Sequence, residues 1–281
     1  MTTGRVLPQA AVADLADIPA VSRWVRSGPL RLHVLDYGGD RPPLLLIPGI
    51  TMPAVGMDFV ARELSGTHRV LVADVRGRGL SDSGPSYTLE DYAEDTEAVV
   101  AALGLHRPVL VGHSMGARIA AATAARGKVP VGATVVVDPP LSGPGRAPYP
   151  TAAEAFLGQL AEARRGTTAD EVAAAWPRWP RREQELRARW LAGCDAEAIA
   201  ATHRGFEAED FFRWWPGVPG PAVFVYGADS PVVTAEGAAE AAARNPAAAL
   251  RAVPDAGHMV FWDNPPAAVG ALRDALRGPA S

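Results

Sequence analysis

The chain has 281 residues, 48% hydrophobic and 21% charged, with 27 Lys and Arg against 31 Asp and Glu for a formal charge of −4. That is enough apolar material for one large core or a core with an inserted cap, and the scattered charges offer no basic face to nucleic acid or to an anionic membrane. Cys194 is the single cysteine, which excludes an internal disulfide and a thiol metal cluster and fits a reducing, cytoplasmic compartment; no apolar run has the length of a membrane span, and Met1 to Pro19 lacks the basic start and apolar run of a secretory leader.

Val21 to Val25 and Leu30 to Leu35, separated by Ser27-Gly28-Pro29, predict an antiparallel hairpin. Pro43 to Ile47 and Arg69 to Ala73 are apolar strands with a helix over Ala54 to Leu64 between them, which makes one right-handed crossover unit. The alternation repeats as helix Leu89 to Leu103, strand Pro108 to Val111, helix Met115 to Ala125 and strand Ala133 to Val137. Continuous β-branched runs of this kind suit parallel strands buried on both faces. From Pro139 to about Pro219 the alternation stops, and this stretch holds Trp176, Trp179, Trp190, Trp214 and Trp215, five of the seven tryptophans. Linkers are poor in large aromatics, so residues 139–219 are read as a helical cap inserted between two parts of the core, 1–138 and 220–281. Strands resume at Ala222 to Tyr226 and Leu250 to Val253 around an alanine-rich helix, and a last helix covers Pro266 to Leu276. The expected fold class is α/β, a mostly parallel sheet with an N-terminal antiparallel hairpin, helices on both faces and the inserted cap.

The apolar run Val109-Leu110-Val111 ends in Gly112-His113-Ser114-Met115-Gly116 and leads into a helix. Two glycines let a strand turn abruptly into a helix and hold the serine exposed above the sheet, so Ser114 is the candidate nucleophile. A serine hydroxyl needs a base. His258, in Asp255-Ala256-Gly257-His258-Met259 just after the last strand, returns to the same edge of the sheet and follows the chain order nucleophile, acid, base. The other histidines fit less well: His33, His68 and His106 lie in or beside early strands and loop ends, His113 adjoins Ser114 and points away from it, and His203 falls in the cap.

Two carboxylates could orient His258. Asp229 follows the strand ending at Gly227, but enzymes of this architecture usually place the acid three residues past that glycine, where this chain has Ser230. Asp138 ends the strand after the nucleophile helix, and its position favours it without excluding Asp229. The oxyanion donors are expected to be the amides of Met115 and of Ile50, in Pro48-Gly49-Ile50-Thr51. Asp74-Val75-Arg76-Gly77-Arg78-Gly79 reads as a structural turn held by Arg76 and Asp74, since a permanently charged guanidinium cannot be the base.

These residues resemble the α/β-hydrolase superfamily along almost the whole chain. Leu46-Ile47-Pro48-Gly49-Ile50-Thr51, the Asp74 to Ser81 turn, Gly112 to Arg118 and above all Val137-Asp138-Pro139-Pro140-Leu141-Ser142-Gly143-Pro144-Gly145-Arg146 are similar to the N-formylmaleamate deformylase family of nicotinate catabolism and to the related 2-(acetamidomethylene)succinate hydrolases. In those families the acid follows the strand after the nucleophile helix, so the resemblance implies Asp138. It also implies an amidohydrolase of a small, carboxylate-bearing N-acyl compound, working without metal or organic cofactor. Arg146 and Arg118 are the candidate cations for the carboxylate, with Tyr149 and Trp190 as candidate walls of the site. An esterase, lactonase or carbon-carbon bond hydrolase, or a ligand receptor with an idle triad, would share the fold. The only implied partner is the small-molecule substrate, and a homo-oligomer is compatible with the sequence.

Overall fold

The computed structural model describes residues 18–277. The stretch read as lacking a leader therefore lies outside the described residues, apart from its last two. Eight strands form one sheet in the order β1-β2-β4-β3-β5-β6-β7-β8. β1 (Val21–Ser27) and β2 (Leu30–Asp36) are the expected hairpin, and β2 also runs antiparallel to β4 (Arg69–Ala73). β3 (Pro43–Ile47), β4, β5 (Val109–His113), β6 (Ala133–Val137), β7 (Ala222–Gly227) and β8 (Ala249–Val253) are all parallel.

Alternate residues of the central strands feed opposite faces. Leu44, Leu46, Val111 and Val135 pack into one core layer, whereas Leu45, Ile47 and Leu110 join a second and Val136 and Phe224 a third. Each face is covered by helices, which is why these strands are apolar at nearly every position. The helix expected over Ala54 to Leu64 begins as a 3₁₀ turn, Ala54–Met57, and becomes α1 (Asp58–Ser65). α2 (Leu89–Ala102) starts at a reciprocal cap, with Thr88 Oγ1 accepting from the Asp91 amide and Asp91 accepting from the Thr88 amide. α3 (Met115–Arg126) is buried from Met115 to Ala124 and ends on Gly127 at φ 62°, a left-handed cap.

Residues 139–221 connect β6 to β7 through α4 (Ala153–Arg165), α5 (Ala169–Ala175), α6 (Arg181–Trp190) and α7 (Ala196–Ala208). This segment is tied down by specific contacts. Trp179 stacks on Trp262 at 5.3 Å, Arg182 pairs with buried Asp58 of α1 at 2.9 Å, and the Asp195 amide donates to the Gly77 carbonyl at 2.8 Å. α8 (Ala235–Arg244) joins β7 to β8, followed by α9 (Val260–Asp263) and α10 (Pro265–Leu276). The carboxyl ends of the parallel strands open toward the 139–221 segment, and the functional residues collect between them.

Candidate active site

β5 runs into α3 with one residue between them. Ser114 takes that place with φ 55° and ψ −119°, a backbone that costs on the order of 1–3 kcal/mol in a residue with a side chain. The flanking glycines make the turn sterically attainable: a Cβ on Gly112 would stand 2.0 Å from the Gly116 carbonyl oxygen, and one on Gly116 1.9 Å from that of Ile47. The Ser114 amide stays in the sheet, donating to the Val137 carbonyl at 2.8 Å. Strand and helix thus hold the residue from both sides, and it stands at the N-terminus of α3, the positive end of the helix dipole.

His258 lies between β8 and α9. Its Nε2 is 2.9 Å from Ser114 Oγ and its Nδ1 is 2.7 Å from Asp138 Oδ2. An ionised carboxylate only accepts hydrogen bonds, so Nδ1 carries the hydrogen and Nε2 keeps a lone pair for the serine hydroxyl. Asp138, directly after β6, is fully buried with φ 49°. Besides the imidazole it accepts from the Gly227 amide at 3.0 Å and from the Ser230 hydroxyl at 2.6 Å. Three donors offset the desolvation of a buried carboxylate. Ser230 therefore sends a hydrogen bond to the acid from the neighbouring strand end. Of the two carboxylates left open by the sequence, Asp229 is exposed and lies with Arg178 and Asp263 at the mouth of the site.

His113 has a role that sequence reasoning missed. Its Nε2–H donates to the His258 carbonyl at 2.9 Å, and its ring packs against His258 and Trp262. Burial, with His258 adding to it, pushes its pKa down to about 3, so the ring is neutral. Its Nδ1 has no partner among the described residues.

On the other side of Ser114, a Cβ on Gly49 would touch the serine Cβ at 3.4 Å, which brings the Pro48–Met52 loop against Ser114. Arg78 fixes the next peptide. This fully buried guanidinium donates through Nε to the Ile50 carbonyl at 2.9 Å, and through its other nitrogens to the Tyr92 hydroxyl at 2.8 Å and the Thr202 hydroxyl of α7 at 2.9 Å. Neither the Ile50 amide nor the Met115 amide donates to an acceptor among the described residues. Arg76 and Asp74 act as the turn reading expected: Arg76 pairs with Asp95 at 2.6 Å and Asp74 accepts from the Ala54 and Leu80 amides.

The cavity in front of Ser114 holds about 460 Å³ and is walled by Ile50 and Met52, by Tyr149 and Phe156, and by Trp176 and Arg187. Tyr149 lies in the wall of this cavity, with its hydroxyl 3.2 Å from His258 Nε2. The other three candidates for substrate contact lie elsewhere. Arg118, a buried residue of α3, points away from the cavity, with Nη1 3.3–3.4 Å from the carbonyls of Pro140, Ser142 and Phe206 and Nη2 donating to the Glu209 carbonyl. Arg146 pairs with Glu240 and donates to the Leu141 carbonyl in a separate cleft, so its charge is already matched. Trp190 is packed beneath Arg187 and does not reach the cavity.

The cation facing the cavity is Arg187. Its guanidinium lies 5.1–5.6 Å from the rings of Trp176, Trp179 and Trp190 and donates to Gln159 Oε1 at 3.0 Å. No carboxylate pairs with it among the described residues. Burial lowers its pKa to about 10, which leaves it charged at neutral pH. A signal existed: Glu183, Leu186, Arg187 and Trp190 share the buried face of α6 at helical spacing, whereas Arg181 and Arg189 do not. Among the described residues no cluster of side chains could hold a metal ion, and no helix is long and apolar enough to cross a membrane.

A strand-turn-helix serine, a histidine from the last strand loop and a buried carboxylate at one edge of a parallel sheet define the class. The model of the alpha/beta hydrolase fold matches residues 42–265, and the chain belongs to that family. It is 38% identical over 257 residues to the N-formylmaleamate deformylase of Pseudomonas putida, covering 91% of this chain and 96% of that protein. A crystal structure of an N-formylmaleamic acid deformylase from a Pseudomonas putida strain superposes with a TM-score of 0.84 at 37% identity, covering 90% of this chain and 100% of that one. The 2-(acetamidomethylene)succinate hydrolase of Mesorhizobium japonicum is 29% identical over 284 residues, covering 94% of this chain and 98% of that protein.

Proposed function

We propose that this chain is a serine amidohydrolase that removes the formyl group of N-formylmaleamate, giving maleamate and formate. Ser114 is the nucleophile, His258 the base, Asp138 the orienting acid, and the Ile50 and Met115 amides hold the oxyanion. The Ser114 proton passes to Nε2 as Oγ attacks the formyl carbon, and Asp138 stabilises the resulting imidazolium. The carbon-nitrogen bond then breaks, and the nitrogen takes the proton from Nε2. This nitrogen belongs to an amide, so its anion is better stabilised than that of an alkylamine. Water next attacks the formyl-serine, with Nε2 again taking and returning a proton.

The observation that carries the substrate class is Arg187, buried and facing a cavity of about 460 Å³, with no carboxylate among the described residues to match it. A small acid supplies that missing charge, gripped through two parallel hydrogen bonds. Residues 139–219 act as the cap that carries Arg187 over the nucleophile. A single cysteine, Cys194, which is buried and leaves no second thiol for an internal disulfide, fits a reducing, cytoplasmic setting.

The test is mass spectrometry of the purified protein with N-formylmaleamate, beside a Ser114→Ala control. Formate and maleamate appear with the wild type and not with the variant. Intact N-formylmaleamate in the presence of rapid ester cleavage overturns the substrate while leaving the nucleophile in place.

A further inference from the structure

The geometry points to Tyr149 as a further catalytic residue, whose phenol donates a hydrogen bond to the leaving group as its bond to carbon breaks. The inference rests on the serine-hydrolase reading of the site but not on the identity of the acyl substrate.

Two hydroxyls converge on one nitrogen. Ser114 Oγ lies 2.9 Å from His258 Nε2 and the Tyr149 oxygen 3.2 Å from the same atom. With Nδ1–H engaged by Asp138, Nε2 offers a single lone pair, and one lone pair accepts one good hydrogen bond. The shorter contact belongs to the serine. The phenol proton is then left to Ser114 Oγ or to a ligand. Once the serine oxygen has bonded to carbon and its proton has moved to Nε2, that nitrogen accepts nothing, and the phenol faces the substrate atoms now joined to Oγ.

The position matches the chemistry. The group that leaves must lie beside Nε2 to collect its proton, and the phenol adjoins Nε2 on the wall of the same cavity. The side chain is held there firmly: Tyr149 is buried between Pro148 and Pro150, its ring 5.0 Å from Phe206, 6.2 Å from Phe156 and edge-on to the His258 ring at 6.2 Å. Burial, and secondarily the charge of Asp138, raise its pKa, while a hydrogen bond with Ser114 acts the other way, so it stays a protonated donor through the working pH range. The bookkeeping of protons is unchanged. The bond to carbon breaks with its electron pair going to the leaving atom, which collects the Nε2 proton, and Tyr149 keeps its own.

Tyr149→Phe preserves the ring and its packing and deletes only the donor. A series of aryl acetates whose phenols differ in pKa reads the effect without reference to the natural substrate. In the wild type the donor supports poor leaving groups most. In the variant, kcat/KM falls about 10–100-fold for the least acidic phenol and less than threefold for 4-nitrophenol, so that log kcat/KM falls more steeply with leaving-group pKa. Ser114 labelling by a fluorophosphonate, which expels fluoride, proceeds at the wild-type rate and reports an intact nucleophile and fold. An unchanged slope, or an equal loss across the series, overturns the role assigned to Tyr149. Failure to release formate from N-formylmaleamate would instead overturn the substrate and leave this comparison standing.

Discussion

Replacing Arg187 by methionine should leave the free protein as stable as before, or more so, while removing most of its activity toward an anionic substrate. Arg187 is 5% exposed, and burial takes its pKa from 12.5 to about 10, a desolvation cost on the order of 3 kcal/mol. Stacking on three indoles and one hydrogen bond to Gln159 offset part of that cost but supply no counter-charge. Methionine keeps an unbranched stem against Trp190 and discards the charge. The net change in the free protein is therefore about 0–2 kcal/mol in favour of the variant, a melting point equal to the wild type or up to about 8 °C higher. In the complex, a carboxylate held by two charge-assisted bonds in a dry pocket contributes about 3–4 kcal/mol, so kcat/KM for N-formylmaleamate should fall about 10²–10³-fold. The matching assay uses N-formylcrotonamide, which lacks the carboxylate: the wild type handles it poorly, and the variant loses less than threefold on it. Two results refute the reasoning. A melting point lowered by more than about 4 °C would make Arg187 a structural residue, and an equal loss on both substrates would remove it from carboxylate recognition.

Asp138→Asn should lower kcat about 10³–10⁴-fold by presenting the wrong tautomer of His258, whereas Asp229→Asn should stay within about twofold; steady-state kinetics on both variants checks the choice of acid. His113 imposes a pH dependence on stability. Its folded pKa of about 3 lies below the value near 6.5 of the unfolded chain, so its contribution is complete above pH 6.5 and is lost as pH falls toward 3. Urea unfolding between pH 6 and 4 should therefore show a slope shallower by about 1.4 kcal/mol per pH unit in His113→Gln, and parallel slopes would contradict the assignment. Gly116→Ala places a Cβ 1.9 Å from a backbone oxygen and should give insoluble or inactive protein, while Gly270→Ala, with open space around it in α10, should be neutral or add up to about 1 kcal/mol by thermal melt.

Much of the fold was legible because its signals are local. The strands, their alternation with helices and the hairpin at Ser27-Gly28-Pro29 follow from apolar runs and turn residues, and the boundaries differ from expectation by a residue or two, as where β8 starts at Ala249 and α10 at Pro265. Ser114 is a candidate from the Gly-x-Ser-x-Gly turn after an apolar strand and His258 from its loop after the last strand, whereas the position of Asp138, the first polar residue after β6, favours it over Asp229 without excluding Asp229. The arginines were not legible in that way. Arg118 and Arg146 look available in sequence, but what decides their role is the set of carbonyls and the Glu240 carboxylate that the fold brings to them from up to 94 positions away. Arg78 was read as part of a structural turn, and its bonds to Ile50 and Thr202 cross 28 and 124 positions. Composition marks a cation; only packing says whether its charge is already answered.

Asp138 and Ser230 arrive at one point from the ends of adjacent strands, joined by a 2.6 Å hydrogen bond. All the parallel strands of this sheet end along the same edge, so the place beside the outer nitrogen of His258 can be reached from either neighbour. A lineage could hand the charge from one strand to the next through two point changes, with the imidazole never moving. What selection then preserves is an address in space, and the order of residues along the chain becomes a poor guide to descent or chemistry. A search that insists on a carboxylate three residues past Gly227 would pass over this protein, although the serine it finds there points, through its hydroxyl, to the carboxylate of Asp138.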